Sequence, residues 1–119
     1  ASLAADHLEG FNAAAVILHE GLSGLMNAFT NAPPEWHPIL KGIEDTGHLD
    51  PASDLKVARK AFQPLSAATV TLVQSARKSG APLNNVRIYR CPMTKDAFPG
   101  APTRAEWIQF QPQIRNPYY

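Results

Sequence analysis

Residues 8–29 read LEGFNAAAVILHEGLSGLMNAF, and their apolar side chains recur at alternating steps of three and four. This spacing places the apolar side chains along one stripe of an α-helix. The stripe comprises Leu8, Phe11, Ala15, Leu18, Leu22, Leu25 and Phe29. It is the clearest periodicity in the chain and predicts a helix over about residues 3–30, whose apolar face must pack against other elements.

A second, shorter helix is predicted over about residues 35–46. The segment Asn31-Ala32-Pro33-Pro34 ends the first helix, because proline is favoured in a first turn and cannot continue a preceding helix. Gly47 is the predicted C-terminal cap. One face of this helix would carry Trp36, Ile39, Leu40 and Ile43.

A third helix is predicted from Ser53 or Asp54, which are good N-cap residues, to about Lys78. The pair Ser79-Gly80 would stop it. Pro64 lies inside this segment, but the apolar phase passes through it undisturbed, so we expect one kinked helix. Its stripe comprises Leu55, Ala58, Phe62, Leu65, Thr69, Leu72 and Ala76.

Beyond residue 80 the composition changes to prolines and β-branched residues, which indicates extended structure. A strand is predicted over Val86-Arg87-Ile88-Tyr89, pairing with Glu106-Trp107-Ile108-Gln109-Phe110. The expected fold is mainly α, an antiparallel three-helix bundle with a C-terminal extended arm or short β-hairpin. Residues 1–119 would form a single domain, with the bundle at about 1–80 and the arm at about 81–119.

The composition excludes several classes of partner. The net charge is +1 and charged residues make up 18% of the chain, so nucleic acid is not an expected partner. No apolar run is long enough for a transmembrane span, and the first residues lack the features of an intact signal peptide. The single cysteine, Cys91, excludes an intramolecular disulfide.

Cys91 and Met93 are candidate ligands for a soft metal ion. Pro92 disfavours helix at Cys91, and in an extended segment positions i and i+2 point to the same side. A thiolate and a thioether facing one direction would select Cu(I) or Ag(I) over hard cations. The alternative is that both sulfurs belong to the core. Trp107 has two explanations likewise, a cation resting on its ring or packing of the arm onto the bundle.

The other candidate ligands are the four histidines, which are well separated in the sequence. Metal ligation needs convergent donors, so surface or structural roles are expected, with His37 an exception if it folds near Cys91. These residues are His7, His19, His37 and His48. Cys91 as a catalytic nucleophile has little support, and no nucleophile elbow, phosphate loop or metalloprotease motif is present, so no enzymatic activity is expected.

The arm also resembles a known family in three motifs. They are Tyr89-x-Cys91-Pro92-Met93, Glu106-Trp107-Ile108 and Ile114-Arg115-Asn116-Pro117-Tyr118-Tyr119. The helical segment 58–66, ARKAFQPLS, is also similar. Together they resemble a domain of unknown function from periplasmic heavy-metal proteins. That domain occurs alone or attached to the periplasmic adaptor (membrane fusion) subunits of copper and silver efflux systems of the resistance-nodulation-division type.

The resemblance implies a periplasmic, non-enzymatic domain that binds Cu(I) or Ag(I) and works with efflux transporter or adaptor components. It makes Cys91 and Met93 the metal ligands. The framework around them would comprise Tyr89, Pro92, Trp107, Asn116, Pro117 and Tyr118. In that family a glycine, a Met and a Cys usually follow the Asn-Pro-Tyr element, so residues 1–119 would hold an incomplete site. The alternative is a structural or protein-interaction module of an adaptor, without a metal site of its own.

Overall fold

The structure is a computed structural model that describes residues 1–119 apart from the side chain of Met26. The chain is mainly α-helical and ends in a two-stranded antiparallel sheet. The helices are α1 (Leu8–Leu22), α2 (Leu25–Ala28), α3 (His37–Gly47) and α4 (Leu55–Lys78), and the strands are β1 (Arg87–Cys91) and β2 (Ala105–Gln109). Among the described residues, no helix has both the length and the apolar character that crossing a membrane requires.

The predicted first helix is wrong as one continuous element, although its apolar stripe is buried or half-buried in the structure. A 3₁₀ turn (Leu3–Ala5) precedes α1, and Asp6 separates them with a left-handed φ of 52°. Ser23 and Gly24 interrupt the helix after Leu22. The Ser23 hydroxyl donates to the Glu20 carbonyl at 3.0 Å, the acceptor that the Gly24 amide would use in a continuing helix. Gly24 N–H donates to Gly21 instead.

Helix α3 begins two residues later than predicted, because Pro34–Trp36 form a 3₁₀ turn. Gly47 is the last residue of α3, and the cap position belongs to His48. Gly47 is buried against α1, where an added Cβ would lie 2.7 Å from Cδ1 of Leu22. The absence of a side chain at position 47 therefore allows α1 and α3 to approach closely.

Helix α4 confirms the predicted third helix as a single element. The Asp54 carboxylate caps it by accepting the Val57 N–H at 2.9 Å, and Pro64 lies inside it. After Lys78 the chain turns at Gly80, whose φ of 86° suits glycine. Helix α4 packs on α3 and on β2, so it buries side chains on two sides. This explains why Ser66, Val70 and Val73, outside the predicted stripe, are buried as well.

The predicted hairpin is confirmed, with β1 and β2 antiparallel and in a regular register. Tyr89 lies opposite Trp107 and Cys91 lies opposite Ala105, so these four side chains share one face of the sheet. The Ser66 hydroxyl donates to the Glu106 carbonyl at 2.7 Å, which attaches β2 to α4. A buried cluster on the hairpin comprises Cys91, Ala97, Phe98, Ala105, Trp107 and Tyr118, and we refer to it as the hairpin cluster.

Candidate metal centre

Cys91 is the last residue of β1 and belongs to the hairpin cluster. Its thiol is free, and the residue is only 5% exposed. Its surroundings are apolar or aromatic, which is the usual environment of a structural cysteine. A metal ion in solution therefore has little access to Cys91 in this conformation.

Met93 follows two residues later and is 65% exposed. The strand ends at Cys91 and Pro92 lies in a bend, so the alternation of side chains along β1 does not extend to Met93. The structure therefore buries one sulfur side chain and exposes the other, and does not present both on one open face as the extended geometry predicted. Pro92 is exposed beside Met93.

The chain after residue 113 makes contacts near both sulfur residues. Tyr118 packs into the hairpin cluster with Cys91, and the Tyr119 hydroxyl donates to the Met93 carbonyl. We call Ile114–Tyr119 the tail. The Asn116 side chain accepts the Tyr118 N–H at 2.9 Å, a local turn that directs Tyr118 inward. One short segment thus contacts the surroundings of both predicted ligands.

Two polar side chains hold the tail in place. Gln109 is buried at the end of β2, and its Oε1 accepts Trp107 Nε1–H at 3.2 Å and the Arg115 N–H at 3.0 Å. Its Nε2 donates to the carbonyls of Gln111, at 2.7 Å, and Gln113. Arg59 of α4 donates to the Pro117 carbonyl at 3.0 Å.

Tyr118 is 1% exposed, and its hydroxyl has no hydrogen-bond partner among the described residues. The pKa of Tyr118 is raised to about 12, chiefly by burial and to a smaller extent by Cys91, while the nearby Ser66 hydroxyl acts to lower it. The Ser66 hydroxyl donates its proton to the Glu106 carbonyl, so it does not donate to Tyr118. An unpaired polar atom therefore lies in the same otherwise apolar cluster as Cys91.

Trp107 is fully accounted for by packing. Its ring stacks on Tyr89 with centroids 5.8 Å apart and meets the Tyr118 ring edge-on at 6.4 Å. Its Nε1–H is used by Gln109. These contacts explain the buried indole without a cation, so packing is the better of the two explanations.

The structure brings together two histidines that the sequence did not connect. His19 Nδ1 and His48 Nδ1 lie 3.0 Å apart, although the residues belong to α1 and to the loop after α3. His37 begins α3 at an exposed position. Within the described part of the chain, no group of three or more His, Cys, Asp or Glu side chains is placed to hold a metal ion.

Sequence reasoning also missed Gln109, Arg59 and Ser66. Each is a polar residue whose role depends on partners far away in the chain or on backbone carbonyls, and neither kind of partner has a sequence signature.

No protein-family model, curated protein or solved structure matches this chain.

Proposed function

We propose that this chain is a non-enzymatic, periplasmic domain that binds Cu(I) or Ag(I) for a heavy-metal efflux adaptor or a related metal-handling protein. The observation that carries the proposal is the tail, which contacts Met93 through Tyr119 and lies against Cys91 through Tyr118. The motif resemblance supports it independently. In this proposal α1, α3 and α4 form an antiparallel three-helix bundle within a single domain and carry the hairpin.

The two sulfur residues have different parts in the proposed binding. Met93 offers an exposed thioether, so it is available for first contact with the ion. Cys91 becomes available when the tail lifts, and its thiol gives up a proton when the metal binds. A thiolate and a thioether suit a soft monovalent ion, which is the cargo and is passed on to efflux components. The resemblance implies that further sulfur ligands complete the site.

The proposal is tested by titrating the reduced protein with Cu(I) or Ag(I) against a chromophoric competing chelator. We expect 1:1 binding that Cys91→Ala removes and that Met93→Leu weakens by about tenfold or more, since losing even an outer-shell partner costs 10–100-fold. Lys95 is exposed and lies two residues from Met93, so Lys95→Ala is the matched control and should bind the metal ion as the wild type does. Unchanged binding by Cys91→Ala would reject the proposal.

A second candidate is a structural or protein-interaction module of an adaptor, without a metal site. The burial of Cys91 in the hairpin cluster favours it. Under this alternative Cys91→Ala lowers the free energy of unfolding by about 1 kcal/mol, the usual effect of a small core truncation, and does not change metal affinity. Measuring stability and Ag(I) affinity on the same variant distinguishes the two functions.

A further inference from the structure

The His19–His48 pair is an unassigned feature on a different part of the molecule from Cys91. Both residues are exposed, and the rings meet edge-on with centroids 4.9 Å apart. The Nδ1 atoms are 3.0 Å apart, so one ring donates its proton to the lone pair of the other. Two imidazole nitrogens from separate elements thus lie within 3.0 Å of each other at the surface.

The separation of the two nitrogens matches that of two ligands on one metal ion. With metal–nitrogen bonds of 2.0–2.1 Å, two nitrogens lie about 2.9 Å apart at a right angle and about 3.3 Å apart at a tetrahedral angle. The observed 3.0 Å lies between these values. An ion bound by both Nδ1 atoms would replace this hydrogen bond, and the Nδ1 proton of the donor ring would move to the Nε2 atom of that ring, so that both imidazoles stay neutral.

The backbone around the pair is well defined. His48 has φ −77° and ψ 75°, and Leu49 N–H donates to the Gly47 carbonyl at 3.0 Å, so His48 is the centre of an inverse γ-turn. The preceding Gly47 packs against Leu22, which lies one helical turn after His19. The close contact between α1 and α3 therefore sets the spacing of the two imidazoles.

We propose that His19 and His48 form a surface site for a borderline divalent cation of the Zn(II), Cu(II) or Ni(II) class. Imidazole suits these ions, whereas the soft monovalent ions proposed for Cys91 and Met93 prefer sulfur. With two protein ligands the site leaves the remaining positions to water, so the ion exchanges readily. The site neither uses nor requires Cys91.

A bound ion links α1 to the loop between α3 and α4. Because the ion binds the folded chain and the unfolded chain does not hold the two histidines together, binding stabilises the fold in proportion to metal concentration. A rise in thermal midpoint with Zn(II) is therefore a readout that does not depend on direct detection of the ion. Zn(II) is the better probe because it has no redox chemistry with the Cys91 thiol.

The test uses the full chain without a histidine tag, titrated with Zn(II) by calorimetry and by thermal unfolding. We expect one Zn(II) per chain, and we expect His19→Ala and His48→Ala each to weaken binding by about tenfold or more. Both variants should also lose the Zn(II)-dependent rise in midpoint. His37→Ala, which removes another exposed histidine, is the matched control and should behave as the wild type.

Histidine side-chain NMR locates the ion directly. The resonances of His19 and His48 should shift together on addition of Zn(II), while those of His7 and His37 stay unchanged. Equal Zn(II) affinity in wild type, His19→Ala and His48→Ala would overturn the proposal, as would the absence of any binding up to millimolar Zn(II). Either result would leave the pair as a hydrogen bond between α1 and the loop.

Discussion

The hydroxyl of Tyr118 is the least satisfied polar group in the hairpin cluster. It is buried in the cluster that contains Cys91 and lacks a partner in the part of the chain that the structure describes. A buried hydroxyl without a hydrogen bond destabilises the fold by about 1–3 kcal/mol. The ring itself packs against Phe62 and Trp107, so the aromatic part of Tyr118 holds the tail and the hydroxyl opposes it.

This arrangement predicts a specific loss of stability in alkali. The pKa of Tyr118 is raised from 10.0 to about 12 in the folded chain, so the folded state keeps its proton after the unfolded state has lost it. Stability is unaffected by this group below pH 10 and falls as the pH rises from 10 to 12, by at most about 2–3 kcal/mol. Urea unfolding at pH 8, 10 and 11 measures it.

Tyr118→Phe should remove the fall in stability that Tyr118 causes between pH 10 and 12. At pH 8 this variant should be as stable as the wild type or more stable by about 1 kcal/mol, because an unpaired hydroxyl is deleted. Tyr89→Phe, in the half-buried partner of Trp107, is the control and should retain the wild-type pH profile. The same alkaline loss in wild type and Tyr118→Phe would show that another group is responsible.

At the level of elements, one side chain of β2 joins the loop after the strand to the start of the tail. Gln109 joins Trp107, Arg115 and the backbone of residues 111 and 113, so it fixes the segment that leads to Tyr118. If the tail covers Cys91, loosening it exposes the thiol. Local opening of this kind is measured by the rate at which a thiol reagent modifies the native protein.

We expect Gln109→Ala to lower the free energy of unfolding by about 2 kcal/mol and to raise the modification rate of Cys91 by about tenfold or more, because the backbone groups of residues 111, 113 and 115 lose their hydrogen-bond partner. Gln113→Ala changes an exposed side chain in the same loop and should have little effect on either quantity. A destabilised Gln109→Ala whose Cys91 reacts no faster would show that the tail does not control access.

The helices and strands that are determined by neighbouring residues in the chain were predictable from the sequence. Helix α4 has a capping Asp54 and a long apolar stripe, and the strands have β-branched and aromatic residues, so both were found. The break at Ser23 depends on a side-chain hydroxyl competing for one carbonyl, and propensity does not resolve such competition. The predicted alternation between Cys91 and Met93 assumed a strand that continues beyond its end.

Contacts between distant residues were not predictable. His19 and His48 are 29 positions apart, and nothing in the sequence indicates that α1 and the loop after α3 meet there. Arg59 is similar, because its partners Leu3, Asp6 and Pro117 are all far from it along the chain. Predicting such sites requires the packing of the helices, which the apolar stripes restrict but do not specify.

Across the whole molecule, Arg59 joins three segments. Its guanidinium donates to the carbonyls of Leu3 and Pro117 and pairs with Asp6 at 2.6 Å. The Arg59 side chain is only 12% exposed, whereas that of Asp6 is 63% exposed. The backbone contacts should therefore contribute more than the ion pair, which solvent screens.

We expect Arg59→Met, which keeps the apolar stem, to lower the free energy of unfolding by about 1–3 kcal/mol, since two carbonyls lose a charged donor. Asp6→Asn should change it by less than about 1 kcal/mol. Lys60→Met, at the exposed neighbouring position, is the control and should have little effect. Equal losses for Arg59→Met and Asp6→Asn in urea unfolding would show that the ion pair dominates.

The contact between Gly47 and Leu22 also constrains how the sequence can diverge. Leu22 is buried, so its methyl groups have little room to move away from a new side chain at position 47. Substitutions at these two sites should therefore be coupled, and a larger residue at 47 should be accepted only with a shorter one at 22. Homologous chains are expected to show this as covariation between the two positions.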